Sequence, residues 1–200
     1  PFRWVVTFQV TYETWDTPNS ITFFKKRMFL LSEKSINTIK SITNSQYLDL
    51  CEYIQREVQK TGLKVTVEVM PPSTLRQTKV TGKLSIFRGS WVADYPDAEN
   101  YLFIFHSKNF SPNGPNYTHY SSPEFDTLYE KSIQTTDNLK RHKLYQQMDS
   151  LVMESAVVIP LYYDEVVRFS QKNVRGLGIN PVNLLSLKKV QKSNLNLFAN

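Results

Sequence analysis

Three carboxylates crowd the stretch DYPDAEN, at Asp94, Asp97 and Glu99, and they are the first residues in the chain whose types and spacing could do chemistry. Such a cluster could hold a hard cation or supply one member of a glycosidase acid pair. A calcium loop needs more regularly spaced oxygen donors, and a glycosidase needs a second, distant carboxylate that no spacing here singles out. The histidines are His106, His119 and His142. His106 and His119 share one aromatic-rich stretch and could in principle form a two-histidine metal site, although two ordinary loop histidines are the simpler reading. His142 stands between Arg141 and Lys143 on a helical pattern and is expected to face solvent. GxSxG, P-loop, HExxH and GxGxxG motifs are absent. No catalytic residue, metal or cofactor is therefore expected, and an enzyme of the α/β hydrolase or glycosidase type using Asp94 is the minority alternative.

The chain has 200 residues, 40% apolar and 13% aromatic, enough to bury a sizeable core. The formal charge of +6 comes from interspersed Lys and Arg, with small clusters at Lys25, Lys26, Arg27 and at Lys188, Lys189, Lys192. A nucleic-acid binder would concentrate that charge on one stripe, so no nucleic-acid partner is expected. Cys51 is the single cysteine, which excludes an intrachain disulfide and suggests a packing role. No apolar run approaches the ~20 residues of a membrane span. The opening PFRWVVTFQV is not a signal peptide, so an export signal, if there is one, is expected upstream.

The elements that must position these groups follow from periodicity and punctuation. Residues 1–43 carry short β-branched and aromatic clusters (WVVTF, ITFF, MFLL) that read as strands. Ser45 can cap a helix with Tyr47, Leu50, Cys51, Ile54 and Val58 on one face, ending at Gly62. Leu63, Val65, Val67 and Val69 then alternate as a half-buried strand, and a strand near Ile36 to Ile42 would complete a parallel βαβ unit. Ser73 can cap a short helix to about Val80, followed by a strand from Leu84 to Phe87. Gly89 to Ser122 should be a long, partly irregular segment whose aromatics, Trp91, Tyr95, Tyr117 and Tyr120 among them, argue against disorder. Ser122-Pro123 starts a helix with Phe125, Leu128, Tyr129 and Ile133 on one side, and Asp137 caps the next, with Leu144, Tyr145, Met148, Leu151 and Val152 as its stripe. Ala156 to Tyr163 reads as an apolar strand interrupted by Pro160, and the tail from Asn173 is weakly patterned.

Three motifs occur in order: FRGSWVADYPDAENYL (Phe87 to Leu102), NYTHYSSPEFDTLYEK (Asn116 to Lys131) and RHKLYQQMDSLVMESAVVIPLYY (Arg141 to Tyr163). Together they resemble the tryptophan with A-D-Y and proline-aspartate turn, the S-P-E-F-D helix start, and the R-x-x-L-Y helix with I-P-L-Y-Y strand of the family 5 extracellular solute-binding proteins. The likeness spans roughly residues 40 to 190. It implies an α/β fold, a periplasmic-binding-protein-like lobe with a mixed sheet and helices packed on its faces. Residues 36–170 would be the second ligand-binding lobe and 171–200 a C-terminal return segment, with residues 1–35 unplaced.

The resemblance also implies a function: the substrate-binding component of an ABC importer, gripping a peptide between two lobes and delivering it to a membrane permease. A monomer is expected, periplasmic or extracellular, either free or lipid-anchored through a preceding N-terminus. Family members are much longer, so the first lobe is expected to be missing and these residues alone to bind peptide weakly or not at all. By the same resemblance Asp94 corresponds to the carboxylate that pairs with a peptide's α-ammonium group, and Arg88 to an arginine facing its carboxylate end. Trp91 and Tyr95 would contribute to the pocket, and main chain at Gly89 and Ser90 could pair with an extended ligand. Relatives of similar pattern carry nickel, haem or oligosaccharides, so the cargo stays open.

Overall fold

The structure, a computed structural model, describes residues 4–6, 37–42, 45–60, 62, 64–84, 86–161, 168–178 and 185–193. The strands expected at ITFF and MFLL, and residues 162–163 of the last apolar stretch, lie outside these.

Strands β1 (Trp4–Val6), β2 (Asn37–Ile42), β3 (Val65–Met70), β4 (Ile86–Arg88) and β5 (Val158–Ile159) form one sheet in the order β3-β2-β4-β1-β5. All its registered pairings are parallel. Helix α1 (Ser45–Gln59) joins β2 to β3, completing the βαβ unit that the spacing predicts. The turn after α1 passes through Gly62 at φ +86°, a left-handed conformation that glycine adopts without a Cβ penalty.

Helix α2 (Pro72–Val80) departs from expectation at its start. Ser73 is not its cap; Pro71 holds the N-cap position with no side-chain cap bond, and Pro72 enters the first turn. A proline there sacrifices an N–H that has no helical partner anyway, and its fixed φ suits the helix. β4 likewise starts later than the expected Leu84 and ends at Arg88.

The period-two alternation of the strands divides the core. Val65 of β3, Ile86 of β4 and Ile159 of β5 pack with Cys51, Ile54 and Val58 of α1. Phe87 points the other way, to Leu75 of α2 and Leu84. Val158 also leaves the α1 side, joining a cluster built on α4 (Pro123–Gln134) and α5 (Asn138–Ser155), which follow the short helix α3 (Glu99–Leu102). Cys51 is fully buried, as its place on the apolar stripe predicts.

Both long C-terminal helices begin as the sequence predicts. Ser122 Oγ accepts from Phe125 N, and Asp137 accepts from Leu139 N and Lys140 N. Ile133 does not join the buried side of α4 and is 62% exposed. The buried line runs through Phe125, Tyr129 and Ser132, which turns the next residue away. Ala156 ends α5 in a left-handed conformation (φ 49°) instead of opening a strand, so β5 is confined to two residues. In the tail, β6 (Val174–Arg175) and β7 (Gln191–Lys192) form a separate antiparallel ribbon, pinned by Asn173 Nδ2 donating to Ser193 O at 2.6 Å. Among the described residues no helix is long and apolar enough to cross a membrane.

Asp149 on α5 gives a pH signature. Burial pushes its carboxyl from the usual 3.8 up to about 7. The folded chain therefore holds a proton that the unfolded chain releases, and stability falls as pH rises from about 4 to about 7. Asp149→Asn should leave stability near pH 4 unchanged and raise it by about 1–2 kcal/mol at pH 8, after discounting for solvent screening at a partly exposed side chain. Thermal unfolding of both forms at the two pH values measures this difference.

Candidate ligand-binding site

Ligands of parallel α/β sheets gather outside the carboxyl ends of the strands. β4 ends at Arg88, and the chain beyond it forms one side of an open cleft, with about 380 Å³ of non-atom space among its lining when open solvent is included. Gly89, Ser90 and Trp91 line it from one side. Phe87 and Lys79 line it from β4 and α2, and Tyr117 and Thr118 from the loop before α4.

A buried amide sets Trp91. Asn100, on α3 and only 1% exposed, accepts from the indole Nε1 at 2.8 Å and from the backbone N of Asp94 at 3.3 Å. The indole edge meets Phe103, with ring centroids 5.4 Å apart. One amide oxygen thus fixes both the indole and the loop that carries Asp94.

The other carboxylates of DYPDAEN serve the scaffold. Asp97 pairs with Arg141 Nη2 at 2.6 Å, accepts from Tyr145 Oη at 3.1 Å and accepts from Glu99 N at 3.0 Å, just before α3. Glu99 accepts the hydroxyls of Tyr95 and Tyr129. Burial, followed by the Glu99 carboxylate, raises the Tyr95 and Tyr129 hydroxyls above the usual phenol range. Burial and then Asp97 do the same for Tyr145. Both carboxylates are thus tied to neighbouring side chains by these bonds.

The loop before α4 hangs on Asn116, which is fully buried. Its Nδ2 donates to His106 O (3.1 Å) and Tyr120 O (3.0 Å), and its Oδ1 accepts from Thr118 Oγ1 (2.7 Å) and Tyr120 N (3.3 Å). Gly114 completes the turn, because a Cβ there would collide with the Asn109 carbonyl. The loop thereby presents Tyr117 to the cleft, while Tyr120 turns inward against Phe105 and Phe125. His106 and His119 are engaged separately: His106 Nδ1 accepts from Lys108 N and His119 Nε2 bonds Ser111 Oγ at 2.9 Å, and among the described residues no group of three or more His, Cys, Asp or Glu could hold an ion. His142 is exposed, as expected.

The structure brings Gly89, Ser90 and Trp91 together and separates the other candidates from them. Asp94 and Tyr95 are exposed and outside the cleft lining, and among the described residues the Asp94 carboxylate takes no hydrogen bond. Arg88 follows the alternation of β4 to the side opposite Phe87, where its guanidinium lies 3.5 Å from the ring centroid of Tyr47 on α1. Lys79 is the residue that sequence reasoning missed. At the end of a short helix it reads as a surface cation; here its ammonium stands 4.2 Å from the ring centroid of Tyr117 and 5.8 Å from that of Phe87. No periodic signal marks it, nor Asn100, whose role depends on a bond to Trp91 across a loop.

Comparison with known proteins agrees with this architecture. The chain is 29% identical over 130 residues to the probable deoxycholate-binding periplasmic protein YgiS of Escherichia coli, covering 64% of this chain and 24% of that protein. It is 24% identical over 169 residues to the dipeptide-binding protein DppE of Bacillus subtilis, covering 82% and 30%. A solved dipeptide-binding protein from Pseudoalteromonas in complex with Met-Leu superposes with a TM-score of 0.65 at 25% identity, covering 86% of this chain and 35% of that one. The chain thus spans between a quarter and about a third of the length of the relatives it matches. The profile for bacterial extracellular solute-binding proteins, family 5, middle part, covers residues 14–113, half of the sequence and a range that opens within the stretch where no motif could be placed. The chain belongs to the family 5 bacterial extracellular solute-binding proteins.

Proposed function

We propose that this chain supplies one wall of the ligand cleft of a peptide receptor, the substrate-binding component of an ABC importer, acting without catalysis outside the cytoplasmic membrane. The observation that carries the reading is the cleft beyond β4, where Trp91, held by Asn100, faces Tyr117 across a space lined by Gly89 and Ser90. Aromatic walls with a few fixed polar groups suit a guest whose side chains vary while its main chain does not. The names of the dipeptide-binding relatives support that choice. In this reading residues 36–170 are the second lobe and 171–200 the return segment. Asp94, exposed three residues beyond Trp91, meets the ligand's ammonium group when a facing lobe closes over it, and Ser90, exposed beside buried Gly89, offers main chain to an extended peptide. A membrane permease is the partner that receives the cargo.

A second reading has one observation in its favour. A relative is named for deoxycholate, and an aromatic cleft also suits an amphipathic acid. Calorimetry on the full-length protein with Met-Leu, a tripeptide and deoxycholate separates the two. Peptide binding weakened about 10-fold or more by Trp91→Ala and by Asp94→Asn is the expected result. Deoxycholate binding without peptide binding would replace the peptide reading, and unchanged peptide affinity in both variants would move the site elsewhere.

A further inference from the structure

Cations occur along the whole chain, but acids do not. No Asp or Glu follows Glu165, whereas Arg168, Lys172, Arg175, Lys188, Lys189 and Lys192 do, and the first 165 residues carry 18 cations against 18 acids. The entire formal excess of +6 therefore belongs to the tail, whose described part is the ribbon of β6 and β7 with the turns around it. Lys172, Arg175, Lys188, Lys189 and Lys192 are all exposed, and among the described residues none of these five has a carboxylate within ion-pair distance.

The ribbon is tied so that it holds these cations in place. Asn173, only 8% exposed, donates through Nδ2 to Ser193 O and accepts at its carbonyl from Ser193 N at 3.0 Å. Gly176, at φ +81°, lies so close to the Lys189 carbonyl that a Cβ would meet it at 2.1 Å, so the turn carrying Lys188 and Lys189 is seated against bare backbone. The register sets Arg175 beside Gln191 and Lys192 beside Val174, which sends the two cations to opposite faces of the ribbon. Among the same segments Phe169 is 95% exposed, Leu185 57% and Leu187 62%.

Like charges gathered in water repel one another, and an extended negative surface relieves that repulsion for all of them together. Both faces of a single two-stranded layer lie within roughly a Debye length, about 8 Å, of a surface that the ribbon meets edge-on, so cations on either face contribute. A folded protein partner suits the ribbon less, because specific interfaces take roughly 800 Å² from each partner and are depleted in lysine. Lys and Arg interspersed with exposed apolar side chains match an anionic bilayer instead.

We propose that the β6 and β7 ribbon is a membrane-docking surface that binds the headgroups of an anionic phospholipid bilayer. The contact keeps the protein beside the membrane and makes no use of the cleft.

The test is flotation of the full-length polypeptide, purified without acylation, on phosphatidylcholine vesicles and on vesicles with about 30% phosphatidylglycerol. Retention on the anionic vesicles alone, lost between about 50 mM and about 500 mM salt, is the expected result. The triple variant Lys188→Glu, Lys189→Glu, Lys192→Glu should partition about 10-fold or more weakly while its affinity for Met-Leu and its thermal unfolding match the parent's. The corresponding triple Gln variant should lose less, which separates lost charge from damaged structure. Equal partition into both vesicle types, partition into neither, or unchanged partition of the variants overturns the proposal. Variants that float like the parent yet fail to deliver cargo to the reconstituted permease would assign the ribbon to a protein partner instead. Met-Leu binding is read separately in every case, so failure of the ribbon leaves the peptide reading standing.

Discussion

Asn116→Ala should cost about 2–4 kcal/mol of folding stability, because truncation breaks four hydrogen bonds made by a buried amide. The Asn116 amide serves the carbonyls of His106 and Tyr120 with its two donors and the Thr118 hydroxyl and Tyr120 N–H with its oxygen. Alanine removes these four bonds at a residue that is 0% exposed, leaving His106 O with Asn109 N and Tyr120 N with Thr118 Oγ1 as their remaining partners. Asn116→Asp is the sharper probe, since it keeps the shape and the acceptor but turns a carboxylate toward the two carbonyl oxygens. Its stability should decline as pH rises, for the buried acid stays protonated most easily at low pH. Urea denaturation of both variants at pH 5 and 8 measures this; a flat pH response in the Asp form would show that the loop rearranges around the charge. Tyr117 and Thr118 belong to the same loop, so ligand affinity should weaken alongside stability.

Phe125→Ala should cost about 3–5 kcal/mol, the range for removing a large buried ring from a core that closes only partly. Phe125 is 0% exposed, with Tyr120 at 5.6 Å, Phe105 at 6.4 Å and Tyr129 at 6.4 Å between ring centroids. Phe105 lines the cleft on its other side, so the cavity would open directly behind a wall of the binding site. Phe125→Leu should recover more than half of the loss, and chemical denaturation midpoints compare the two. An alanine variant within about 1 kcal/mol of the parent would mean that the α4–α5 cluster repacks far more freely than a close-packed interior allows.

Features that depend on neighbours along the chain were legible before any coordinates. The apolar spacing from Tyr47 to Val58 announces α1 and places Cys51 on its buried face. Ser122 and Asp137 cap the helices that follow them, as their hydroxyl and carboxylate chemistry predicts. The alternation from Val65 marks β3, and the parallel pairing with β2 follows from a helix between two strands. Features that depend on which face a short element presents were not legible. β4 is too short to carry a periodic signal, so nothing in the string tells that Phe87 faces α2 while Arg88 faces Tyr47. Asp94, Asp97 and Glu99 look equivalent in sequence and differ only through the partners that α4 and α5 bring from about thirty to fifty residues away. The same holds for Lys79, whose meaning comes from Tyr117 across the cleft.

The position of β1 carries a temporal consequence. Trp4 is registered with Ile86, and Val5 with Val158, so the first strand of this sheet in chain order is bracketed by two partners synthesised much later. Until β5 emerges, β1 must be held or left waiting, and closing so distant a loop is entropically slow. The βαβ unit of β2, α1 and β3 can assemble by itself in the meantime. Maturation of this lobe should therefore be two-tiered, with a local α/β nucleus formed early and the seam at β1 zipped last.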